Sequence, residues 1–249
     1  MDKVLVITGG GRGIGAATAR LACAAGYRVA VNYVSDSTAA EALVKELKAT
    51  GAKAIAVKGD VSKLEDVIRI FDETEDAFGP VTALVNNAGI TGRSSRLDDV
   101  DPKVITETIA INVNGVIFAA REAVKRMSTR HGGKGGVIVN ISSAAATLGS
   151  PGEYVWYAAS KGAIESLTIG LAKEVAEEAI RVVCVCPGMV ETEIHDRSTG
   201  DPARVERIRP NIPVKRIGRP EEIAEAIMFL LSDKASYVTG TTLRVSGGR

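Results

Sequence analysis

The sequence predicts an α/β fold in which a parallel sheet of about seven strands is covered by helices on both faces. Three observations predict it. Short apolar, β-branched runs alternate with longer helical patterns along the 249 residues. Those runs are continuously apolar rather than alternating, as strands buried on both faces are. The first of them turns through clustered glycines into a helix. Right-handed crossovers between such strands give a doubly wound, Rossmann-type sheet.

Strands are expected at 3–8, 28–33, 53–58, 83–86, 136–142, 181–186 and 242–245. Helices are expected to begin near Gly13, Ser37, Lys63, Pro102, Val155 and Pro220. The run Gly132-Gly133-Lys134-Gly135-Gly136 resembles a linker, but it falls between a helix and a strand that one sheet needs. The chain therefore reads as one domain over 1–249. Its irregular stretch, 189–213, carries Pro202, Pro210 and Pro213. Lying after a strand's carboxyl end, it is expected to be a substrate lid rather than surface elaboration.

With 45% hydrophobic and 24% charged residues, the composition argues against disorder. The net charge of +1 gives no reason to expect nucleic acid or an anionic membrane as partner. Met1-Asp2-Lys3 leads directly into Val4, with no signal peptide in view, and apolar stretches read as too short for a membrane span. A cytoplasmic protein is expected. Cys184 and Cys186 share one strand face, Cys23 lies in an Ala-rich helix, and no second pair or neighbouring His completes a metal site. Unpaired thiols fit a reducing compartment. His131 and His195 have no acid or nucleophile at a suggestive spacing.

The turn Gly9-Gly10-Gly11-Arg12-Gly13-Ile14-Gly15 follows a strand and opens a helix. Glycines let the backbone approach a pyrophosphate, which sits among the free N–H groups of the helix start. This points to a dinucleotide. At the tip of the second strand stand Asn32 and Tyr33, with no acid to bind both ribose hydroxyls as NAD requires. Arg12 offers a planar fork to a 2′-phosphate. Asp36 is the competing acid, placed where the next helix needs a cap. NADP(H) is favoured, with NAD(H) the alternative.

Tyr157 and Lys161 lie four apart at a helix start, so phenol and ammonium share one face. A cation beside a phenol lowers its proton affinity toward the working range. With the glycine turn, the whole chain resembles the short-chain dehydrogenase/reductase family. Thr8 to Gly15 is similar to its Thr-Gly-x-x-x-Gly-x-Gly motif, and Asp60-Val61 to its adenine-contacting pair. Asn86-Asn87-Ala88-Gly89 resembles the motif ending the fourth strand. Ile111-Asn112-Val113 and Ile141-Ser142-Ser143 resemble the segments carrying the family's Asn and Ser. Pro187-Gly188, with Val190 and Thr192 beyond, resembles the segment that holds the nicotinamide carboxamide.

The resemblance implies an enzyme acting on CH–OH donors, exchanging hydride with a small carbonyl or alcohol substrate. Tyr157 would be its general acid and base, Ser143 would bind the substrate oxygen, and Lys161 would hold the nicotinamide ribose and tune Tyr157. Asn112 would link Lys161 to solvent through water; Asn114 ranks below it. Cofactor contacts would come from Gly9, Gly11, Arg12, Gly13, Ile14, Gly15, Asn32, Tyr33, Asp60, Val61, Asn87, Ala88 and Gly89. Tyr157, Lys161, Pro187, Gly188, Val190 and Thr192 would complete them. It further implies a homotetramer or homodimer packed through the helices starting near Pro102 and Val155.

Three departures stand out: a loop 149–156 one residue longer than usual, Val183 in place of an Asn, and Ser246 in place of an Asp. Tyr154 lacks a paired lysine, since position 158 is Ala, and Trp156 either stacks on substrate or packs beside the helix. A non-catalytic dinucleotide-binding module, and an epimerase or dehydratase retaining its nicotinamide, are the competing functions.

Overall fold

The computed structural model describes residues 3–192 and 204–249. Its elements are β1 (Val4–Ile7), α1 (Gly13–Ala24), β2 (Arg28–Tyr33), α2 (Ser37–Ala49), β3 (Ala54–Lys58), α3 (Leu64–Phe78) and β4 (Ala83–Asn86). Then follow α4 (Pro102–Ile109), a π-helical segment (Ala110–Gly115), α5 (Val116–Met127), β5 (Gly136–Ile141), α6 (Ala145–Leu148) and α7 (Val155–Glu174). The chain closes with β6 (Ile180–Pro187), α8 (Arg204–Ile208), α9 (Pro220–Leu231) and β7 (Thr242–Val245).

The seven strands form one parallel sheet in the order β3-β2-β1-β4-β5-β6-β7. This is the doubly wound Rossmann arrangement. The chain winds outward from β1 in both directions, so a crevice opens at the carboxyl ends of β1 and β4.

Alternation along the strands builds a core on each face. Leu5 and Ile7 of β1 and Val29 and Val31 of β2 pack with Leu43 and Leu47 of α2 and Ile223 and Ile227 of α9. Val4 and Val6 point the other way, toward Val67, Ile70 and Phe71 of α3 and the alanines of α5. The small residues of α1 (GIGAATARLACA) let it lie close against α9.

Sequence periodicity missed several features. The π segment interrupts the run from Pro102 to Met127, and α6 and α8 are short helices inside stretches read as loops. Residues 193–203 of the expected lid, with His195 and Pro202, lie outside the described residues. The 26-residue run 102–127 is also apolar and long enough to meet a membrane-span criterion, against expectation. Threonines such as Thr106 and Thr108 interrupt the run to the eye but lower its mean hydropathy little. Its role in the fold is plain: Ala119, Ala120, Ala123 and Met127 are buried against the sheet, and buried Glu122 pairs with Arg126.

Candidate active site

Thr8, just past β1, fastens the two strands that flank the crevice. Its hydroxyl accepts from the main-chain N–H groups of Asn87 (3.0 Å) and Ala88 (3.1 Å). The Asn87 amide donates to the carbonyls of Thr8 (3.1 Å) and Gly9 (2.8 Å). Gly9 sits at φ +59°, and a Cβ there would lie 2.9 Å from the Ala88 Cα. At Gly15 a Cβ would come within 2.8 Å of both the Asn87 amide nitrogen and the Gly9 oxygen. Thr192 closes over the turn, its methyl 3.1 Å from where a Gly13 Cβ would stand. Gly11, Arg12 and Ile14 are half-buried at the rim. Helix α1 has neither a side-chain cap nor an acid in its first turn. Its N–H groups and positive dipole end are thus open to an anion, and the cradle that side chains would fill fits a pyrophosphate.

Two adenosine-end expectations change. Asn32 is buried, and its side chain is spent on the Gly9 N–H (3.2 Å) and the carbonyls of Val57 (3.3 Å) and Gly59 (2.9 Å). It braces the turn from behind instead of facing a ribose; Tyr33 is half-buried at the strand tip. Asp36 caps α2 by accepting from Ala39 N–H (3.0 Å), and its other oxygen pairs with Arg12. An acid thus does stand at this end, because capping leaves one carboxylate oxygen over. Beyond β3, the Asp60 carboxylate accepts from the Ser62 N–H (3.0 Å) and hydroxyl (2.7 Å). Val61 is buried against Gly115.

Across the crevice, the π segment carries Asn112. A π-helical turn re-aims one side chain out of helical register and is frequent at functional sites. Asn112 accepts from Ile90 N–H (2.9 Å) and donates to the Ile90 carbonyl (2.8 Å) and the Ser160 hydroxyl (3.1 Å). Ser160 donates to the Tyr157 carbonyl (2.7 Å), linking Asn112 to the first turns of α7. A Cβ on Gly89 would stand 3.3 Å from the Asn112 oxygen and 3.4 Å from Lys161 Nζ, so the three converge. Asn114 contributes nothing comparable among the described contacts.

Tyr157 and Lys161 share a face of α7 as expected, with Nζ 5.7 Å from the phenol ring centroid and donating to the Ile141 carbonyl (2.8 Å). Ser143, just past β5, stands beside the Tyr157 hydroxyl, and its own oxygen accepts from Ala145 N–H (3.2 Å). Ser142 turns away to Glu165 (2.9 Å). The expected lowering of Tyr157 by Lys161 is not what this arrangement gives. Burial raises the Tyr157 pKa above its ordinary value, opposed by the neighbouring Ser143 side chain and the charge of Arg204. Burial also pulls Lys161 down to about 8. Pro187 accepts from Ala144 N–H (2.8 Å), and Gly188 donates to the Val245 carbonyl (2.9 Å), so the end of β6 adjoins Ser143. Val190 is buried. A Gly188 Cβ would press on Ser246 at 2.7 Å, so that position contacts the β6 turn.

Trp156 is buried and donates to the Thr91 carbonyl (2.8 Å), packing among Val100, Val104 and Ile105. Tyr154 abuts Tyr157, and Arg204 of α8 pairs with Glu153 beside it. Spacing gave no sign of this cluster, since Arg204 is 47 or more residues away in sequence from every member.

A family model described as enoyl-(acyl carrier protein) reductase matches residues 9–249. An uncharacterized oxidoreductase, YgfF, of Escherichia coli K12 is 48% identical, the match covering 99% of each chain. The structure of a 3-ketoacyl-(acyl-carrier-protein) reductase from Brucella melitensis, complexed with NADH, superposes with a TM-score of 0.91. It is 35% identical, over 99% of this chain and 98% of that one. A short-chain dehydrogenase from Burkholderia cenocepacia, in complex with NADP, gives 0.90 at 34% identity, over 99% and 97% of the two chains.

Proposed function

The chain belongs to the short-chain dehydrogenase/reductase family, and from that premise we propose that it exchanges hydride between a nicotinamide dinucleotide and a ketone or secondary alcohol. Tyr157 is the general acid in reduction and the general base in oxidation. The observation that carries this reading is the meeting of Ser143, Tyr157 and Lys161 beside a glycine cradle.

The nicotinamide, when bound, supplies the hydride. Ser143 donates to the substrate oxygen and stabilises the charge that develops there. Tyr157 delivers the proton, and Lys161 restores it while holding the nicotinamide ribose. The Asn112 side chain is committed to Ile90 and Ser160, so a proton path past it runs along its main chain. Gly9, Gly11, Gly13, Ile14 and Gly15 hold the pyrophosphate. Asp60 and Val61 border the adenine, Asn87, Ala88 and Gly89 the riboses, and Pro187, Gly188, Val190 and Thr192 the carboxamide.

NADP(H) remains the preferred form through Arg12, with Asp36 restraining that preference by pairing with it. The chain acts as one domain, with 189–192 and 204–213 bordering a small-molecule substrate. Exposed Ile117 of α5 and Ile169 of α7 support a homo-oligomer, a tetramer or dimer, packed through these helices. The free Cys23, Cys184 and Cys186 support work in a reducing, cytoplasmic setting.

The test is absorbance of reduced nicotinamide with NADPH and NADH against 3-oxoacyl esters, cyclic ketones and sugars. The 3-oxoacyl arm comes first because a similar structure is a 3-ketoacyl-(acyl-carrier-protein) reductase. Tyr157→Phe should lower turnover by roughly a thousandfold. No turnover in any arm, or a Phe variant at full rate, overturns the reading.

A further inference from the structure

Arg204 lies in a short helix bordering the cleft, yet it is only 5% exposed. Its Nε and Nη2 donate to the two carboxylate oxygens of Glu153 at 3.2 and 2.7 Å. The same guanidinium touches the Tyr154 hydroxyl and lies 5.5 Å from the centre of the Tyr154 ring. Tyr154 in turn meets Tyr157 edge to face, the ring centres 5.4 Å apart and the planes at 86°. Glu153 also takes a third segment in hand: its carbonyl accepts from Ser95 N–H at 2.8 Å. Residue 153, through its carboxylate and its main-chain carbonyl, thus joins α8, the loop before α7 and the loop after β4. Tyr154 stands between that point and the proton donor.

A buried ion pair is a poor source of net stability, because desolvation offsets most of its attraction. What it supplies well is fixed geometry, through the bidentate fork of arginine on carboxylate. We propose that Arg204 is a positioning residue for the Tyr157 proton donor: it clamps Glu153 and Tyr154 so that the Tyr154 ring fixes the phenol. The inference rests on the proposed role of Tyr157.

The charges have a second consequence. Tyr157 is faced by Lys161 on its own helix, Ser143 after β5, Cys186 of β6, Tyr154 of the preceding loop and Arg204 of α8, while Glu153, with Arg207 near it, stands one step back against Arg204 and Tyr154. Of these, the Arg204 charge favours the phenolate. Although burial pushes Glu153 upward, the hydrogen bond and charge of Arg204 hold its carboxyl below its ordinary value. The pair therefore sets one charge of each sign beside Tyr154, and the Arg204 charge, tempered by Glu153, also reaches Tyr157. Breaking it from either side removes the same clamp but leaves the opposite charge behind.

The experiment compares Arg204→Met, Arg204→Lys and Glu153→Gln, with ethyl acetoacetate or whichever ketone in the panel turns over. Both clamp-breaking variants should lower kcat about tenfold while leaving the dinucleotide KM within about twofold of the parent, because the clamp is on the substrate side. The alkaline limb of the reduction rate should move up by about half a unit in Arg204→Met and down by a similar amount in Glu153→Gln. Arg204→Lys should return the limb to its parental position. Shifts in the same direction, no shift, or an unaltered kcat overturns the proposal. If Arg204→Met does not fold, the Glu153→Gln shift alone decides. Phenolate absorbance, taken as the difference between each protein and its Tyr157→Phe counterpart, reads the same shifts without turnover. Failure of the clamp is thereby distinguished from failure of the enzymatic reading.

Discussion

The two sides of the crevice are held by different means. On the dinucleotide side, the short side chains of Thr8 and Asn87 fasten onto main-chain groups, and Gly9 and Gly15 leave side chains out altogether. On the substrate side, the joints are long side chains: Arg204 on Glu153, Tyr154 on Tyr157, Trp156 on the Thr91 carbonyl. A ligand common to a whole family can be met by backbone, which few substitutions alter without collapse. Substrates that differ among relatives are bordered by side chains, which can be exchanged while the strands stay put. The contrast makes a physical claim: small changes on the first side should abolish binding, and larger ones on the second should adjust it.

Gly15→Ala is the sharpest way to break that claim. Its methyl would enter at 2.8 Å from Gly9, Gly10 and Asn87 atoms, and most of these are backbone that cannot swing aside. Overpacking of this kind costs about 2 kcal/mol, equivalent to roughly thirtyfold in affinity if the turn opens to relieve it. NADPH fluorescence titration should show that loss, and an unchanged affinity would mean the cradle is not the dinucleotide site. A smaller effect is expected where the dinucleotide side does use charge. Arg12→Ala should weaken NADPH relative to NADH by about tenfold, the worth of one charge-assisted hydrogen bond. Asp36→Asn keeps a good helix cap while freeing Arg12, so it should move the NADPH/NADH ratio the other way by roughly threefold. Equal losses of both cofactors in Arg12→Ala would remove Arg12 from the selection.

How much of this was legible in the sequence follows the same divide. Strands 28–33, 83–86 and 242–245 have the expected bounds, because apolar runs between turn residues specify strands without help from distant partners. The placement of Gly9 to Gly15 and of Ser143 was legible because each follows a strand end, and that of Tyr157 and Lys161 because a spacing of four puts both on one face of a helix. Asn32 was placed at the right strand tip but facing the wrong way: burial of an amide depends on which carbonyls surround it, here those of Val57 and Gly59. Asp36 was read as a cap, and one carboxylate oxygen does cap; its pairing with Arg12 depends on how the glycine turn folds back. The π segment around Asn112 has no periodicity of its own over 6 residues. Arg204 meets Glu153 across a separation of 51 residues, which no local pattern encodes.

Trp156 gives the smallest and most discriminating test on the substrate side, because the sequence left two roles open for it. Its ring is 4% exposed, wedged among Val100, Val104 and Ile105, and its N–H meets the Thr91 carbonyl. Trp156→Phe keeps most of the apolar volume and deletes that one donor. The carbonyl loses a partner at a cost of about 1 kcal/mol, which for a chain of this size lowers the thermal midpoint by about 3 °C. Since the indole reaches the cleft only by supporting the loop that carries Thr91, the substrate KM should change less than about twofold, within the range of a conservative core swap. A tenfold rise in KM with no loss of thermal stability would place the indole against the substrate. It would also turn a joint between loops into a binding contact, weakening the division between a backbone-held side and a side-chain-held one at the position where it is easiest to measure.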